Sequence, residues 1–179
     1  MRSISSGMMK VVALGLMAMA LTCCGPRMGK YDVRVGMDPA LVSQVGGAPS
    51  VTLNLVGVNE AGLAEWNAKN MQDYWMPADP TRRDAQAYAY VMQFGPGQSE
   101  TKVLKKDDPI WQKWQADSAT HLFVLADLPG SHESRPGSAD SRRLVLPLDT
   151  RRWSGEQIDI EVQQSTMRLK TEMRPEPKK

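Results

Sequence analysis

The sequence predicts a mainly β domain, an antiparallel β-sandwich of about seven strands with two short helices inserted between them. Short runs that alternate apolar and polar residues recur between breakers rich in Gly and Pro, as half-buried strands do. Helical periodicity appears in only two places, without the regular strand–helix–strand rhythm of a parallel sheet. A chain of 179 residues is long enough to bury one proper core.

The first 23 residues have the layout of a secretory signal peptide. Arg2 and Lys10 make the start basic, and residues 11–21 are apolar and uncharged. As a helix this run would be about 16 Å long, against roughly 30 Å of bilayer hydrocarbon, which is too short to span. The segment therefore predicts export. The alternative interpretation is a buried apolar helix that happens to contain two cysteines.

The run ends in Leu21-Thr22-Cys23-Cys24, which resembles the lipobox of bacterial lipoproteins. The resemblance implies that Cys24, or less well Cys23, is lipidated and becomes the mature N-terminus. Two or more acyl chains anchor a protein stably. By the same resemblance, Gly25 after the cysteine favours the outer membrane, with the domain facing the periplasm.

The expected division is a signal peptide at 1–23, a lipid-anchored stub at 24–30, the β-sandwich at 31–172 and a disordered tail at 173–179. Six extended residues after Cys24 reach no more than roughly 20 Å, so the domain is expected close to the membrane. Cleavage leaves 20 basic residues against 20 acidic ones, because two of the 22 are in the signal peptide. A near-neutral domain argues against a nucleic-acid partner.

Strands are predicted in order along the domain, and most are half-buried. Residues 85–94 and 120–126 are apolar on both faces and are predicted to be central strands. Lys residues in 100–106 and Pro147 in 142–148 are typical of edge strands. Residues 165–170 could add a further strand. The seven main predictions are residues 31–35, 51–58, 85–94, 100–106, 120–126, 142–148 and 157–162.

The first predicted helix covers residues 60–75, with Asn59 as its N-cap. A set of mostly apolar residues recurs at three- and four-residue steps, namely Leu63, Trp66, Asn70 and Tyr74. This spacing is typical of an amphipathic helix, here one that closes one end of a β-domain. The alternative is that Trp66, Tyr74 and Trp75 form an aromatic platform for a sugar or a peptide.

The second predicted helix starts at Asp108-Pro109, with Asp as the cap and Pro in the first turn. Trp111 and Trp114 are three residues apart and share a face of it. Core packing is the simpler interpretation of these two rings, and a contribution to a ligand groove is the alternative.

The long loop at residues 127–141 contains the main candidates for chemistry. His132 and Glu133, with Asp127 and Asp140 nearby in sequence, could form a metal site or a general-base pair. A loop rich in Gly, Pro and Ser supports ligands poorly, and no HExxH, Gly-x-Ser-x-Gly or phosphate-loop motif is present. The sequence therefore predicts no catalytic residue, no metal ion and no cofactor. Three Arg pairs are interpreted as solvated faces that could otherwise meet an acidic partner or lipid headgroups, at residues 82–83, 142–143 and 151–152.

The order of these features resembles the outer-membrane lipoproteins of type VI secretion systems, the TssJ family. A lipobox is followed by strands at 51–58, 120–126, 142–148 and 157–162 in a comparable order. The resemblance implies a transthyretin- or Ig-like β-sandwich with extra helical segments, whose exposed loops hold an inner-membrane partner. The Trp-rich helix has no counterpart in this pattern, and no binding residue carries over.

The leading functional hypothesis is a lipid-anchored, non-catalytic interaction module that docks another envelope protein through its loops. A second hypothesis is a ligand- or carbohydrate-binding lipoprotein whose groove is lined by tryptophans, namely Trp66, Trp75, Trp111 and Trp114. A third is a hydrolase that uses His132 and its carboxylate neighbours. The expected partners are the membrane, through the N-terminal lipid, and a second envelope protein.

Overall fold

The computed structural model describes residues 27–43, 47–130 and 133–176, and within them the chain forms two four-stranded sheets. The expected signal peptide, both cysteines and His132 lie outside these residues. The strands are β1 Asp32–Met37, β2 Val51–Asn59, β3 Ala89–Phe94, β4 Lys102–Leu104, β5 Ala119–Asp127, β6 Arg143–Pro147, β7 Gln157–Val162 and β8 Met167–Leu169.

The first sheet has the strand order β4-β1-β7-β8, and the second has the order β3-β2-β5-β6. All neighbouring strands are antiparallel except β1 and β7, which run parallel with Val33 beside Ile158. The predicted sandwich is confirmed, with β8 as an additional strand. The strand β5 is central, and β4 and β6 are edge strands, as predicted. The prediction for β3 is wrong, because among the described residues this strand lies at an edge of the sheet and pairs with β2 alone.

Short helices connect the strands, and they are more numerous than the two predicted. The continuous helix predicted over residues 60–75 is wrong, because the chain turns to an extended conformation at Lys69 and Asn70. The Asn70 side chain then caps a new helix by accepting hydrogen bonds from the backbone N–H groups of Gln72 (2.8 Å) and Asp73 (3.3 Å). The helices are α1 Pro39–Val42, α2 Leu63–Ala68, α3 Met71–Tyr74, α4 Pro80–Ala85 and α5 Ile110–Ala116.

The strand predicted over residues 85–94 begins four residues later, because a helix precedes it. Asp79 accepts a hydrogen bond from the backbone N–H of Arg82 at 2.7 Å, and Pro80 occupies the first turn of α4. None of the helices in the described ranges is long and apolar enough to cross a membrane.

The main core lies between the two sheets, and a second apolar cluster lies on the outer face of the second sheet. The 3₁₀ turn Glu60–Gly62 with α2 and α3, here called the helical layer, covers that outer face. Because both faces of the second sheet are covered, β5 is apolar on both sides. The outer cluster consists of Val56, Val58, Met71, Tyr74, Phe123 and Leu125.

The strand directions give the domain two distinct ends. At the N-terminal end, the Gly29 N–H donates to the Leu148 carbonyl (2.7 Å) and the Thr150 N–H donates to the Arg27 carbonyl (3.1 Å). The other end, here called the loop end, is formed by the connections at residues 38–50, 95–101, 128–142 and 163–166, as far as the structure describes them. Backbone hydrogen bonds link these connections in pairs, from Gly97 to Ala48 (2.8 Å) and from Gly130 to Gln164 (3.1 Å).

Two tryptophans of α5 close the core beside β2. Trp111 and Trp114 are fully buried and meet edge to face, with ring centroids 4.9 Å apart. Their indole N–H groups donate to backbone carbonyls of Lys105 (2.9 Å) and Tyr88 (2.7 Å). These bonds fix both rings in the core, as the simpler interpretation of the sequence predicts. Gly57 makes room for them, because a Cβ there would lie 2.4 Å from Cγ of Trp114.

Gly57→Ala should therefore destabilise the domain by about 1–3 kcal/mol, the usual cost of overpacking a core. The Trp114 ring cannot move aside without losing its hydrogen bond. Chemical denaturation should show a lower midpoint. Gly155→Ala is the matched control, since a Cβ there meets nothing within 4 Å. Equal stability of the two variants would contradict this account of Gly57.

Candidate docking surface at the loop end

Asp140 organises the second half of the loop between β5 and β6. Its carboxylate is fully buried and accepts hydrogen bonds from Nε (3.0 Å) and Nη2 (2.9 Å) of Arg142. It also accepts from the backbone N–H groups of Arg142 (3.0 Å) and Arg135 (3.2 Å). Asp140 therefore serves as the internal support of this loop, because its oxygens are already occupied.

Burial by itself raises the pKa of Asp140, but the hydrogen bonds from Arg142 and from the Arg135 backbone outweigh it. The net effect is a pKa below the ordinary 3.8. Since the folded state prefers the ionised carboxylate, this group stabilises the fold above the unfolded pKa of about 3.9. The contribution is lost as the pH falls through the lower folded value.

Ser134 joins this loop to the helical layer. The backbone N–H of Met71 donates to its hydroxyl oxygen at 3.2 Å, and Nη2 of Arg142 donates to the same oxygen at 3.2 Å. The hydroxyl donates in turn to Oδ1 of Asn70 at 2.8 Å. Because Asn70 also caps α3, the loop and the start of that helix form one hydrogen-bonded unit.

Arg143 attaches the other side of the helical layer to the second sheet. Its side chain is buried at 1% exposure and donates to the backbone carbonyls of Asn67 (2.5 Å) and Lys69. Burial lowers the pKa of this guanidinium. A cation is favourable here because these carbonyls close the C-terminal end of α2. The interpretation of residues 142–143 as a solvated face is therefore wrong, since both side chains are buried.

A groove of about 380 Å³ lies between the end of α3 and the start of the loop. Its apolar side is formed by Trp75, Met76 and Leu128, and its charged side includes Asp127 and Arg142. Met76 is 51% exposed, one of the most exposed large apolar side chains in the described part of the chain. Trp75, one of the aromatic residues that the sequence suggests as a ligand contact, therefore borders an open depression.

Trp75 is held in position at this groove by its neighbours. Its ring meets Tyr74 edge to face with centroids 5.2 Å apart, and the Arg82 guanidinium carbon lies 4.7 Å from the ring centroid. The buried indole N–H has no hydrogen-bond partner among the described residues. The ring is therefore rigid and only partly exposed.

The other aromatic candidates lie inside the protein. Tyr74 is fully buried, and its hydroxyl accepts a hydrogen bond from Nδ2 of Asn54 at 2.8 Å. Trp66 is half-buried, with ring centroids 6.2 Å from Tyr74 and 5.8 Å from Phe123. Trp111 and Trp114 lie in the core beside β2, so the four tryptophans are not brought together into one open groove.

The structure separates the groups considered for acid–base or metal chemistry. Glu133 is exposed and forms a surface ion pair with Nη2 of Arg135 at 2.8 Å, while His132 lies outside the described residues. His121 lies at the start of β5, near the N-terminal end, and burial lowers its pKa. No group of three or more His, Cys, Asp or Glu side chains within the described ranges could hold a metal ion.

Sequence reasoning missed the residues that build this end of the molecule. The sequence suggests Asp140 as a possible metal ligand and Arg142 and Arg143 as surface charges. It gives no indication of a role for Ser134. The one available signal is Asn70, which is a suitable cap immediately before the new helix that starts at Met71. The contacts from Ser134 and Arg143 to the helical layer join residues 63 or more positions apart, so local sequence patterns do not indicate them.

Asp140→Asn should destabilise the protein by about 3 kcal/mol at neutral pH, because it leaves the Arg142 guanidinium buried without its counter-charge. The difference from the wild type should begin to shrink below the unfolded pKa of about 3.9 and should vanish only below the lowered pKa of folded Asp140, where the wild-type carboxylate is protonated in the folded protein as well. Urea unfolding at several pH values measures both effects. Asp127→Asn, an exposed carboxylate at the start of the same loop, should change the stability by less than about 0.5 kcal/mol. A pH-independent loss in Asp140→Asn would contradict the assignment.

Comparison with known proteins shows which solved structures have a similar fold. No protein-family model matches the chain, and no curated protein sequence matches it. Several solved structures resemble it over most of its length. Three of them are a chain of a type VI membrane complex (17% identity, 80% of this chain and 98% of that chain, TM-score 0.50), the type VI secretion lipoprotein TssJ1 of Pseudomonas aeruginosa (17%, 86% and 100%, 0.47) and the membrane-bound type VI component Lip of Serratia marcescens (12%, 78% and 95%, 0.45).

At these sequence identities the comparison shows a shared fold and nothing more. This conclusion rests on the match to the membrane-complex chain. The resemblance to a type VI secretion component that the sequence suggests is confirmed as a likeness of fold to a chain of a type VI membrane complex. The chain is thus a β-sandwich of the kind found in the type VI membrane complex, with a helical layer on one sheet.

Proposed function

We propose that this chain is a lipid-anchored envelope lipoprotein whose non-catalytic β-sandwich docks another envelope protein in a type VI secretion-like assembly. The observation that carries the proposal is that the domain has two different ends. Residue 27, three positions after Cys24, is bound at the N-terminal end, and the connections between strands described above lie at the loop end. The fold shared with a type VI membrane-complex chain supports the same assignment.

The N-terminal end would lie against the membrane that holds the lipid. Arg27 and Gly29 are hydrogen-bonded to the segment after β6, so the stub is already part of the domain from residue 27. Three steps of 3.8 Å place the Cα of Cys24 within about 11 Å of that of Arg27. This is closer than the reach of roughly 20 Å expected from a free stub.

The loop end would then face away from that membrane. The strands β2 and β5 each have nine residues and cover about 30 Å at roughly 3.3 Å per residue. The supported loop around Glu133 and the groove beside Trp75 therefore lie where a partner from the periplasm or from the opposite membrane could reach them. We assign the docking contact to this end, with Trp75 and Glu133 as its first candidates.

A second candidate function is the binding of a small ligand or a sugar in the groove beside Trp75. The observation that favours it is the fixed, partly exposed indole ring at the border of an open depression. Aromatic faces of this kind bind apolar ligand surfaces. Trp75→Ala would abolish ligand binding on this hypothesis while leaving the loop contacts of Asp140 and Ser134 in place.

Lipidation can be tested by metabolic labelling with radioactive palmitate. Cys24→Ser should abolish incorporation, because the thiol that receives the diacylglyceryl group is gone. Cys23→Ser is the matched control and should leave most of the label in place. The opposite pattern would move the modified residue to Cys23, and absence of label in the wild type would remove the anchor from the proposal.

Docking can be tested by reversing one exposed charge at each end. Glu133 and Glu156 are comparable, since both are exposed and each forms one surface ion pair, with Arg135 and Lys106 respectively. Glu133 lies at the loop end, whereas the Glu156 carbonyl accepts from Asp32 at the N-terminal end. Glu133→Arg should reduce co-purification of envelope partners at least about tenfold, and Glu156→Arg should not. An equal or larger loss in Glu156→Arg would contradict docking at the loop end.

A further inference from the structure

We propose that the free edge of β3 receives an extended segment of a partner protein, which adds a fifth strand to the second sheet. The proposal deepens the proposed docking function, since it names a surface and the form of the partner that fits it. It depends on the proposed lipid anchor at one step, where a second copy of this chain is excluded as the binding partner.

The edge of β3 is open over its whole length. The strand pairs with β2 on one side, from Val51 opposite Phe94 to Val56 opposite Ala89. In the described part of the chain, no backbone hydrogen bond joins Ala89–Phe94 to any other segment. Since alternate residues of an edge strand point their N–H and C=O groups outward, β3 presents unpaired backbone groups in strand geometry.

The other three sheet edges carry features that discourage strand addition. The edge strands β4 and β8 have only three residues each, with Lys102 in the first and the exposed Arg168 in the second. The edge strand β6 ends in Pro147, and the segment before it is joined to β8 through the Met167 N–H, which donates to the Ser141 carbonyl at 3.2 Å.

By contrast, β3 has six residues, no charge and no proline. Its composition is that of a central strand, which is why the sequence predicted a central position. Val91 on its outer face is 42% exposed, and Tyr88 just before it is 52% exposed. A long, uncharged strand with exposed apolar residues at an edge is the form that pairs with another chain.

A second copy of this chain does not fit as the occupant. The strand β3 runs from the N-terminal end to the loop end, so antiparallel self-pairing would invert the second copy. Its N-terminal end would then lie level with the first copy's loop end, about 30 Å from the membrane. Cys24 lies within about 11 Å of Arg27, so the inverted copy could not insert its lipid in the same bilayer. The occupant is therefore an extended segment of a different protein.

The edge also defines the chemistry of that segment. On the outer face it would lie beside Val91 and Gln93, and on the inner face beside Met92 and Phe94, whose side chains are buried. Cross-strand neighbours of this kind favour β-branched and aromatic residues. We therefore expect an uncharged segment of about six residues with alternating apolar side chains.

The test uses the mature chain from residue 24 with Cys24→Ser, which keeps every described residue and removes the lipid. The probe is a fluorescent peptide with the sequence of residues 51–58 and two added C-terminal lysines, because this uncharged sequence already pairs with β3 in the structure. Fluorescence anisotropy should show saturable binding. Hydrogen exchange should show new protection of those backbone amides of residues 89–94 that point away from β2.

Val91→Lys should weaken this binding at least about tenfold, because it places a charge on the edge. Gln93→Lys is a second variant, at an exposed position on the same face of β3, in case the first fails to fold, as judged by thermal unfolding. Ser99→Lys is the matched control, since it adds the same charge in the exposed loop after β3 and should bind as the parent does.

Absence of saturable binding, protection at β6 or β8 in place of β3, or unchanged affinity in both edge variants would overturn the proposal. A dimer of the lipidated protein that Val91→Lys dissociates would overturn the choice of occupant. Because the peptide assay uses a chain without lipid, its outcome is independent of the palmitate test and of the charge reversal at Glu133.

Discussion

The rest of the structure depends on the double-sided burial of the second sheet. The strands β2 and β5 carry apolar residues toward both of their faces, so the sheet needs a cover on each side. The first sheet supplies one cover and the helical layer supplies the other. Removing apolar surface from water drives both contacts, at roughly 25 cal/mol per Å². The helical layer is therefore part of the folded core, although it is inserted between two strands.

The helical layer is held to the sheet by buried polar groups as well as by apolar packing. Arg143 binds the end of α2 from β6, and Ser134, Asp140 and Arg142 bind the start of α3 from the loop. Buried polar groups are costly unless all are paired. The hydrogen bonds of Ser134 and Asp140 fix the second half of the loop before β6, so part of a long Gly- and Pro-rich segment becomes a defined surface at the loop end.

Two ends and one open edge then determine where other molecules can approach. The N-terminal end is bound to the chain that leads to Cys24, the loop end carries the groove beside Trp75, and β3 lies along one side between them. The proposed anchor, docking contact and strand addition occupy different surfaces. A single domain of this size could therefore bind a membrane and an extended partner segment at the same time.

The sequence by itself determined the fold class, the positions of most strands and the edges at β4 and β6, because alternation and breakers are local signals. It also predicted the location in the cell envelope, through a lipobox that lies outside the described residues. Only the tertiary structure decided that β3 is an edge strand, that Arg143 is buried and that Asp140 supports a loop. The burial of Arg143 depends on Asn67, 76 positions away. The role of Asp140 depends on how the loop folds around it, because Arg135 and Arg142 are near in sequence but no local motif marks them. Composition alone cannot distinguish an apolar strand with two neighbours from one with a single neighbour and a free edge.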